Sequence, residues 1–143
     1  MQSFQIRRFF IIYIFLITIG FQTYACKSSD PTGADKALYL FEKKEDRIWL
    51  KVEGSVIQIL PDDVTGTRHQ RFIIETEKGQ SILINHNIDI AQRVPIENGT
   101  RLIISGEYLW NTKGGSMHYT HRNTNIRKRS GYIKVLATGM LYD

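Results

Sequence analysis

The chain has 143 residues, of which 42% are hydrophobic and 23% charged, with a formal net charge of +5 and one cysteine. A single cysteine excludes an internal disulfide, and so mild a basic balance is not that of a polycation. The length suits one domain with one core and leaves no room for two.

Arg7 and Arg8 precede an almost unbroken apolar run from Phe9 to Ile19, followed by Gly20 and a stretch ending Thr23-Tyr24-Ala25. Charged, apolar and cleavage regions in that order are those of a secretory signal, expected over residues 1–25. The run falls short of the roughly 20 residues a membrane-spanning helix needs, so cleavage after Ala25 is the first reading and an uncleaved anchor the second. Cys26 would then open the mature chain, the position at which a bacterial lipoprotein carries its lipid. Thr23 and Tyr24 depart from the usual residues before such a cysteine, so lipidation at Cys26 and simple secretion both stand. The expected address is the periplasm, soluble or membrane-anchored, with contact to a membrane only through that lipid. The leader takes two of the 19 Lys and Arg residues and none of the 14 acids, which leaves the mature part near +3.

Residues 26–34, containing Ser28, Ser29, Asp30, Pro31 and Gly33, read as a tether, and residues 35–143 as a single domain. Asp35 is expected to cap a short helix in which Leu38 and Phe41 share a face with Leu40 alongside, ended by the charged run Glu42 to Arg47. From Ile48 the chain is rich in β-branched and aromatic residues broken by Gly and Pro. Strands are expected at Trp49–Leu60, Arg71–Thr76, Ser81–Asn85, Arg101–Trp110, Met117–Arg122 and Tyr132–Leu136, with Glu77-Lys78-Gly79-Gln80 as a hairpin turn. A long first strand with Gly54 at a coil, then a hairpin, an irregular stretch from Asn87 to Glu97 and a further strand pair is the order of a mostly β, OB-like barrel of five to six strands. An open sandwich is the alternative.

Four segments carry a family resemblance. They are Val52-Glu53-Gly54 running into Leu60-Pro61-Asp62-Asp63; Arg68-His69-Gln70-Arg71-Phe72-Ile73; Asn85-His86-Asn87-Ile88-Asp89 with Ala91 and Arg93-Val94; and Gly106-Glu107-Tyr108 with Trp110-Asn111, Lys113-Gly114-Gly115, His118 and Thr120-His121. Together they resemble the domain-of-unknown-function family 3465 of small exported bacterial proteins. The resemblance implies export and one compact domain. After His121 the sequence departs from the family pattern: Arg122-Asn123-Thr124-Asn125 and Arg127-Lys128-Arg129 stand where further histidines, an Asp and a Pro are expected.

All four histidines, His69, His86, His118 and His121, lie in those segments, and with Asp89 they form the candidate ligand or metal site. Neutral imidazole binds Zn²⁺, Cu²⁺ or Ni²⁺, so a divalent transition metal is the cofactor such a cluster would take. On a regular strand His118 and His121, three apart, point to opposite faces and share a site only across a bulge or turn. A bland reading makes each a hydrogen-bonded structural residue. Arg68, Arg71, Glu107 and Asn111 are the candidate polar and basic contacts.

Two functions follow. As a hydrolase of phosphodiester or glycan, His69 or His118 would be the base, Asp62, Asp63 or Asp89 the orienter or metal ligand, and Arg68 or Arg71 the anion stabiliser. The sequence has no His-Glu-x-x-His, no Gly-x-Ser-x-Gly and no phosphate-binding glycine loop. As an envelope binding or accessory module, Tyr108, Trp110, Tyr119 and Tyr132 with Arg122, Arg127, Lys128, Arg129 and Lys134 would hold an anionic polymer or a protein partner. An exported address makes nucleic acid the less fitting ligand. Against that, Tyr108 and Trp110 in phase on one strand are expected in a core, with the basic run a solvated loop. The binding module is the favoured function and the hydrolase its rival.

Overall fold

A computed structural model describes residues 32–125 and 127–143. The signal-like segment 1–25 and Cys26 lie outside the described residues, as does the tether except for Thr32, Gly33 and Ala34. Those three are part of the fold. The Thr32 carbonyl accepts from the Glu53 N–H at 2.7 Å, and Ala34 opens the helix.

The elements are α1 (Ala34–Lys43), β1 (Ile48–Asp63), β2 (His69–Glu75), β3 (Ser81–Asn87), β4 (Arg101–Leu109), β5 (Ser116–His118), β6 (Tyr132–Val135) and β7 (Leu141–Tyr142). The strand order is β1-β2-β3-β5-β4, closed by a further pairing of β4 with β1. That closure makes an OB-like ring of five strands and removes the open sandwich. The ring is not a clean barrel, because β6 adds to β4 and β7 to β6, giving a mixed sheet of seven strands.

One long strand closes the ring by pairing twice. From Ile48↔Tyr108 to Ser55↔Arg101 it lies along β4, and from Ser55↔Glu75 to Asp63↔His69 along β2. The change of partner falls at Gly54 and Ser55, where the sequence places the coil. The reason for glycine is close approach and not a left-handed backbone: a Cβ on Gly54 would sit 2.9 Å from the Glu75 carbonyl oxygen and 2.9 Å from Ile74 Cδ1.

Strand alternation fills the interior. Phe72 and Ile74 of β2, Ile82 and Ile84 of β3, Leu102, Ile104 and Tyr108 of β4, Met117 of β5 and Ile133 of β6 are fully buried, with Val52 and Leu50 from β1. Each of these side chains removes enough apolar surface from water to contribute roughly 1.5–3 kcal/mol. The helix adds Ala37 and Leu40 to this core. Leu40 is buried, but its companions on that face are Ala34 and Ala37 rather than Leu38 and Phe41, and the N-cap is Gly33 rather than Asp35, which lies in the first turn. Phe41 instead offers its carbonyl to the indole N–H of Trp110 at 3.0 Å.

The hairpin at Glu77 to Gln80 forms as expected, with the Thr76 N–H bonded to the Gln80 carbonyl at 3.0 Å. β5 is shorter than its sequence pattern, ending at His118, and β7 carries no pattern long enough to announce it. The irregular stretch after Asn87 is tied down by Gln70, whose buried amide both accepts from the Val94 N–H at 2.9 Å and donates to the Val94 carbonyl at 2.8 Å.

Candidate functional site

The same alternation that buries Phe72, Ile82 and Ile84 turns the odd-numbered residues of β2 and β3 outward. His69 and Arg71 on β2 thus stand beside Asn87 and Asn85 on β3, their register partners. On the neighbouring strands Glu107 of β4 is the register partner of His118 of β5. These outward side chains border an open cleft of about 290 Å³ lined by His69, Asn85, Asn87, Glu107, Leu109 and His118, with Arg47, Thr67, Tyr119 and His121 from the adjoining loops.

Three of the four histidines therefore meet at one place. The rings of His69 and His118 lie edge to face, 6.4 Å between centroids. His121 joins them because the strand stops: Tyr119 takes a left-handed φ of 53°, which breaks the alternation that would otherwise send His118 and His121 to opposite faces. Arg47, on the other rim, has φ 56°. Left-handed backbone in non-glycine residues costs about 1–2 kcal/mol and persists only where surrounding structure enforces it. Here the enforcement comes from Gly131, whose N–H donates to the His121 carbonyl at 2.8 Å. A Cβ on Gly131 would fall 2.1 Å from the Tyr119 carbonyl oxygen, so only glycine lets the two segments lie this close.

Hydrogen bonds fix the tautomers. The Asn85 amide nitrogen stands 3.1 Å from His118 Nε2, and since an amide NH₂ only donates, that ring nitrogen is an acceptor and its proton sits on Nδ1. Burial lowers the His118 pKa, reinforced by the like charge of His69 and opposed by Glu107. His121 donates from Nδ1 to the Arg122 carbonyl at 2.8 Å, leaving Nε2 as its acceptor. The cleft is thus walled by a His118 ring with a free Nδ1–H, a His121 ring with a free Nε2, and Thr67, Asn87, Glu107 and Arg47.

His86 and Asp89 do not join this site. His86 is fully buried, donating from Nε2 to the Gln92 carbonyl at 3.0 Å and accepting at Nδ1 from the Thr120 hydroxyl at 2.9 Å. Burial lowers its pKa, and the neutral ring is a structural bolt between β3 and the loops on either side. Asp89 is held by the Arg68 backbone N–H and guanidinium, both at 2.7 Å, and Arg68 is itself committed to that pair. These donors also hold the Asp89 carboxyl below its usual range.

The remaining acids are placed elsewhere. Asp62 pairs with Arg93, and Asp63 accepts from the Thr65 N–H at 2.9 Å, which lowers its pKa. Among the described residues no aspartate hydrogen-bonds a cleft histidine, although Asp63 and Asp89 both feel the charge of His69. Among the described residues no three His, Cys, Asp or Glu side chains come together as a metal site. Of the candidate set, the structure places His69, His118 and His121 at the cleft and holds His86 and Asp89 apart from it.

Asn111 closes a turn by accepting from the Lys113 and Gly115 N–H groups. With Arg71 it lines a separate cleft. The aromatic platform dissolves as posed: Tyr108 is fully buried with its hydroxyl on the Gly114 carbonyl, and Trp110 packs against the core under Lys44. Of that set, Tyr119 is exposed at the cleft and Arg122 pairs with Asp143.

The sequence pattern did hold a signal for Asn85 and Asn87. With Ile82 and Ile84 inside, His86 belongs inside and its neighbours outside. Arg47, Thr67, Leu109 and Tyr119 reach the cleft through loop conformation and strand packing, which periodicity does not encode.

Fold and site together define an OB-like ring carrying a histidine-rich polar cleft on the outer face of β2, β3 and β5. The family model described as a protein of unknown function (DUF3465) matches residues 19–143, and the chain belongs to that family. Comparison with curated proteins gives no match, and comparison with solved structures gives none.

Proposed function

We propose that this chain is an exported cell-envelope protein acting as a small binding or accessory module, with the cleft around His69, His118 and His121 as its ligand site. The observation that carries the reading is the convergence of three histidines with Asn85, Asn87, Thr67 and Arg47 in one solvent-open cleft. A concave site with a few convergent polar groups is the ordinary form of a small-molecule site. Its volume suits a small polar ligand that both accepts from the His118 N–H and donates to His121. The order of charged, apolar and small residues before Cys26 supports export.

The hydrolase reading has less support, because the hydrogen bonds and ion pairs of Asp62, Asp63 and Asp89 run to Arg93, Thr65 and Arg68, while His69 acts on Asp63 and Asp89 through its charge alone. Fractionation of the producing cell, with intact mass and elemental analysis of the natively purified protein, tests the proposal. A periplasmic or membrane-fraction product beginning at Cys26, free or lipidated and without stoichiometric transition metal, is expected. A cytosolic product retaining Arg7 and Arg8 contradicts export, and one bound metal per chain with hydrolytic activity contradicts the binding reading.

A further inference from the structure

A second cleft, of about 230 Å³, lies on the outer face of the ring and is lined by Leu60, Arg71, Ile73, Ser81, Leu83, Asn111, Lys113 and Gly115. Its position follows from the register: Arg71 of β2 faces Leu60 of β1 on one side and Asn85 of β3 on the other, and Ile73 faces Leu83. Alternation thus brings three aliphatic side chains and one guanidinium to the same outward patch, and the turn held by Asn111 brings Lys113 to its rim.

Charge is unbalanced there. The lining has two cations and no acid. Arg47, Arg68, Arg93, Arg101 and Arg122 are all exposed and each pairs with a carboxylate, whereas Arg71 is the one arginine among the described residues that is not exposed, and neither it nor Lys113 takes part in an ion pair. Moreover, Arg71 Nε is shut off from solvent with no hydrogen-bond partner. Buried polar groups are ordinarily satisfied, and a half-buried guanidinium with no acid in ion-pair contact, Asp63 acting on it only at longer range, is the costlier exception. A carboxylate or phosphate oxygen that draws the guanidinium toward the cleft removes that cost, and the fork of arginine donors matches either anion.

We propose that this cleft is a binding site for a small amphiphilic anion, with the head group on Arg71 and Lys113 and the apolar body on Leu60, Ile73 and Leu83. The site is distinct from the histidine cleft and does not depend on it. Its volume lies below the roughly 300–1,000 Å³ of drug-sized ligand sites, which selects a short chain or a single ring.

The test is titration of the natively purified protein at neutral pH with octanoate, followed by NMR on the Ile73 and Leu83 methyl groups and the Arg71 Nε–H. Saturable shifts at all three positions are expected, with affinity about tenfold lower for octanamide, which keeps the chain and loses the charge. Acetate and inorganic phosphate, which keep the charge and lose the chain, are expected to leave the methyl groups unmoved. Arg71→Met and Lys113→Ala should each weaken octanoate binding. The Lys113 change removes only an exposed side chain and so reads the charge requirement even if Arg71→Met fails to fold. Equal binding of octanamide, equal response to acetate, or octanoate shifts confined to the histidine cleft each overturn the proposal. If vesicles of an anionic phospholipid shift these signals while octanoate does not, a monomeric ligand is excluded and the proposal fails.

Discussion

The side-chain amide of Asn85 donates to Nε2 of His118 across 3.1 Å, joining β3 to β5 where those strands run parallel. This bond does two things. It holds the His118 ring over the cleft, and it commits the ring to its neutral form with the proton on Nδ1. Protonation of His118 must break it, so the pH dependence of the domain is written into this contact and into the burial of His86.

Stability is expected to fall as the pH drops from about 7 to about 5. His86 and His118 have folded pKa values lowered mainly by burial, so the unfolded chain binds more protons between the folded values and the ordinary value of about 6.5. Their contribution is fully present above that ordinary value and is lost as pH falls toward the folded ones. Each histidine contributes at most about 1.4 kcal/mol per pH unit across its window. Thermal melts over this range should show the slope, and His86→Gln should flatten it. Asp63 and Asp89, whose pKa values are lowered, act in a separate window below about 4, where protonation removes their contribution.

Replacing His86 by Ala should destabilise the domain by about 1–3 kcal/mol for each polar partner it strands, since the Gln92 carbonyl and the Thr120 hydroxyl lose their bonds. His69→Ala, which removes a partly exposed cleft residue, should stay within about 0.5 kcal/mol. Denaturant melts of the two variants make the comparison. Similar losses would contradict the division between a structural histidine and cleft histidines.

Gly54→Val should cost about 1–3 kcal/mol by overpacking, because the added carbon meets the Glu75 carbonyl and Ile74. Gly54→Ala tests the cause, since it keeps the clash at Cβ without the branching. A melting temperature unchanged in both variants would show that β1 does not need this approach to serve β2 and β4 at once.

Much of the ring was legible because its strands keep a period of two. Val52, Phe72, Ile74, Ile82, Ile84, Leu102 and Ile104 alternate cleanly, and burial follows the alternation. The coil at Gly54 was legible for the same reason, though its cause, contact with Glu75, lies 21 positions away and leaves no local trace. The helix was misread at its face because Leu38 and Phe41 outweigh two alanines in apolar content, yet it is Ala34 and Ala37 that allow the helix close to the sheet. At the candidate site, Tyr119 decided the outcome. A tyrosine carries no preference for left-handed backbone, so nothing in the spacing of His118 and His121 announced that both would reach one cleft.

Tyr119 therefore supplies a test of its own. Tyr119→Gly should be at least as stable as the wild type, since glycine takes φ 53° without strain, whereas Tyr119→Val should lose about 1–2 kcal/mol. Equal losses in both would mean that the tyrosine ring, which is more than half exposed, matters more than its backbone.

The central claim, that His69, His118 and His121 form one ligand site from which His86 is excluded, is tested most directly by the ring Cε1–H signals of the four histidines. These are to be recorded on the natively purified protein before and after addition of the low-molecular-weight fraction of its own cell envelope, at constant pH. The account predicts that the signals of His69, His118 and His121 move together and saturate while that of His86 stays in place. Three unmoved cleft signals, or a His86 signal that moves with them, would contradict it.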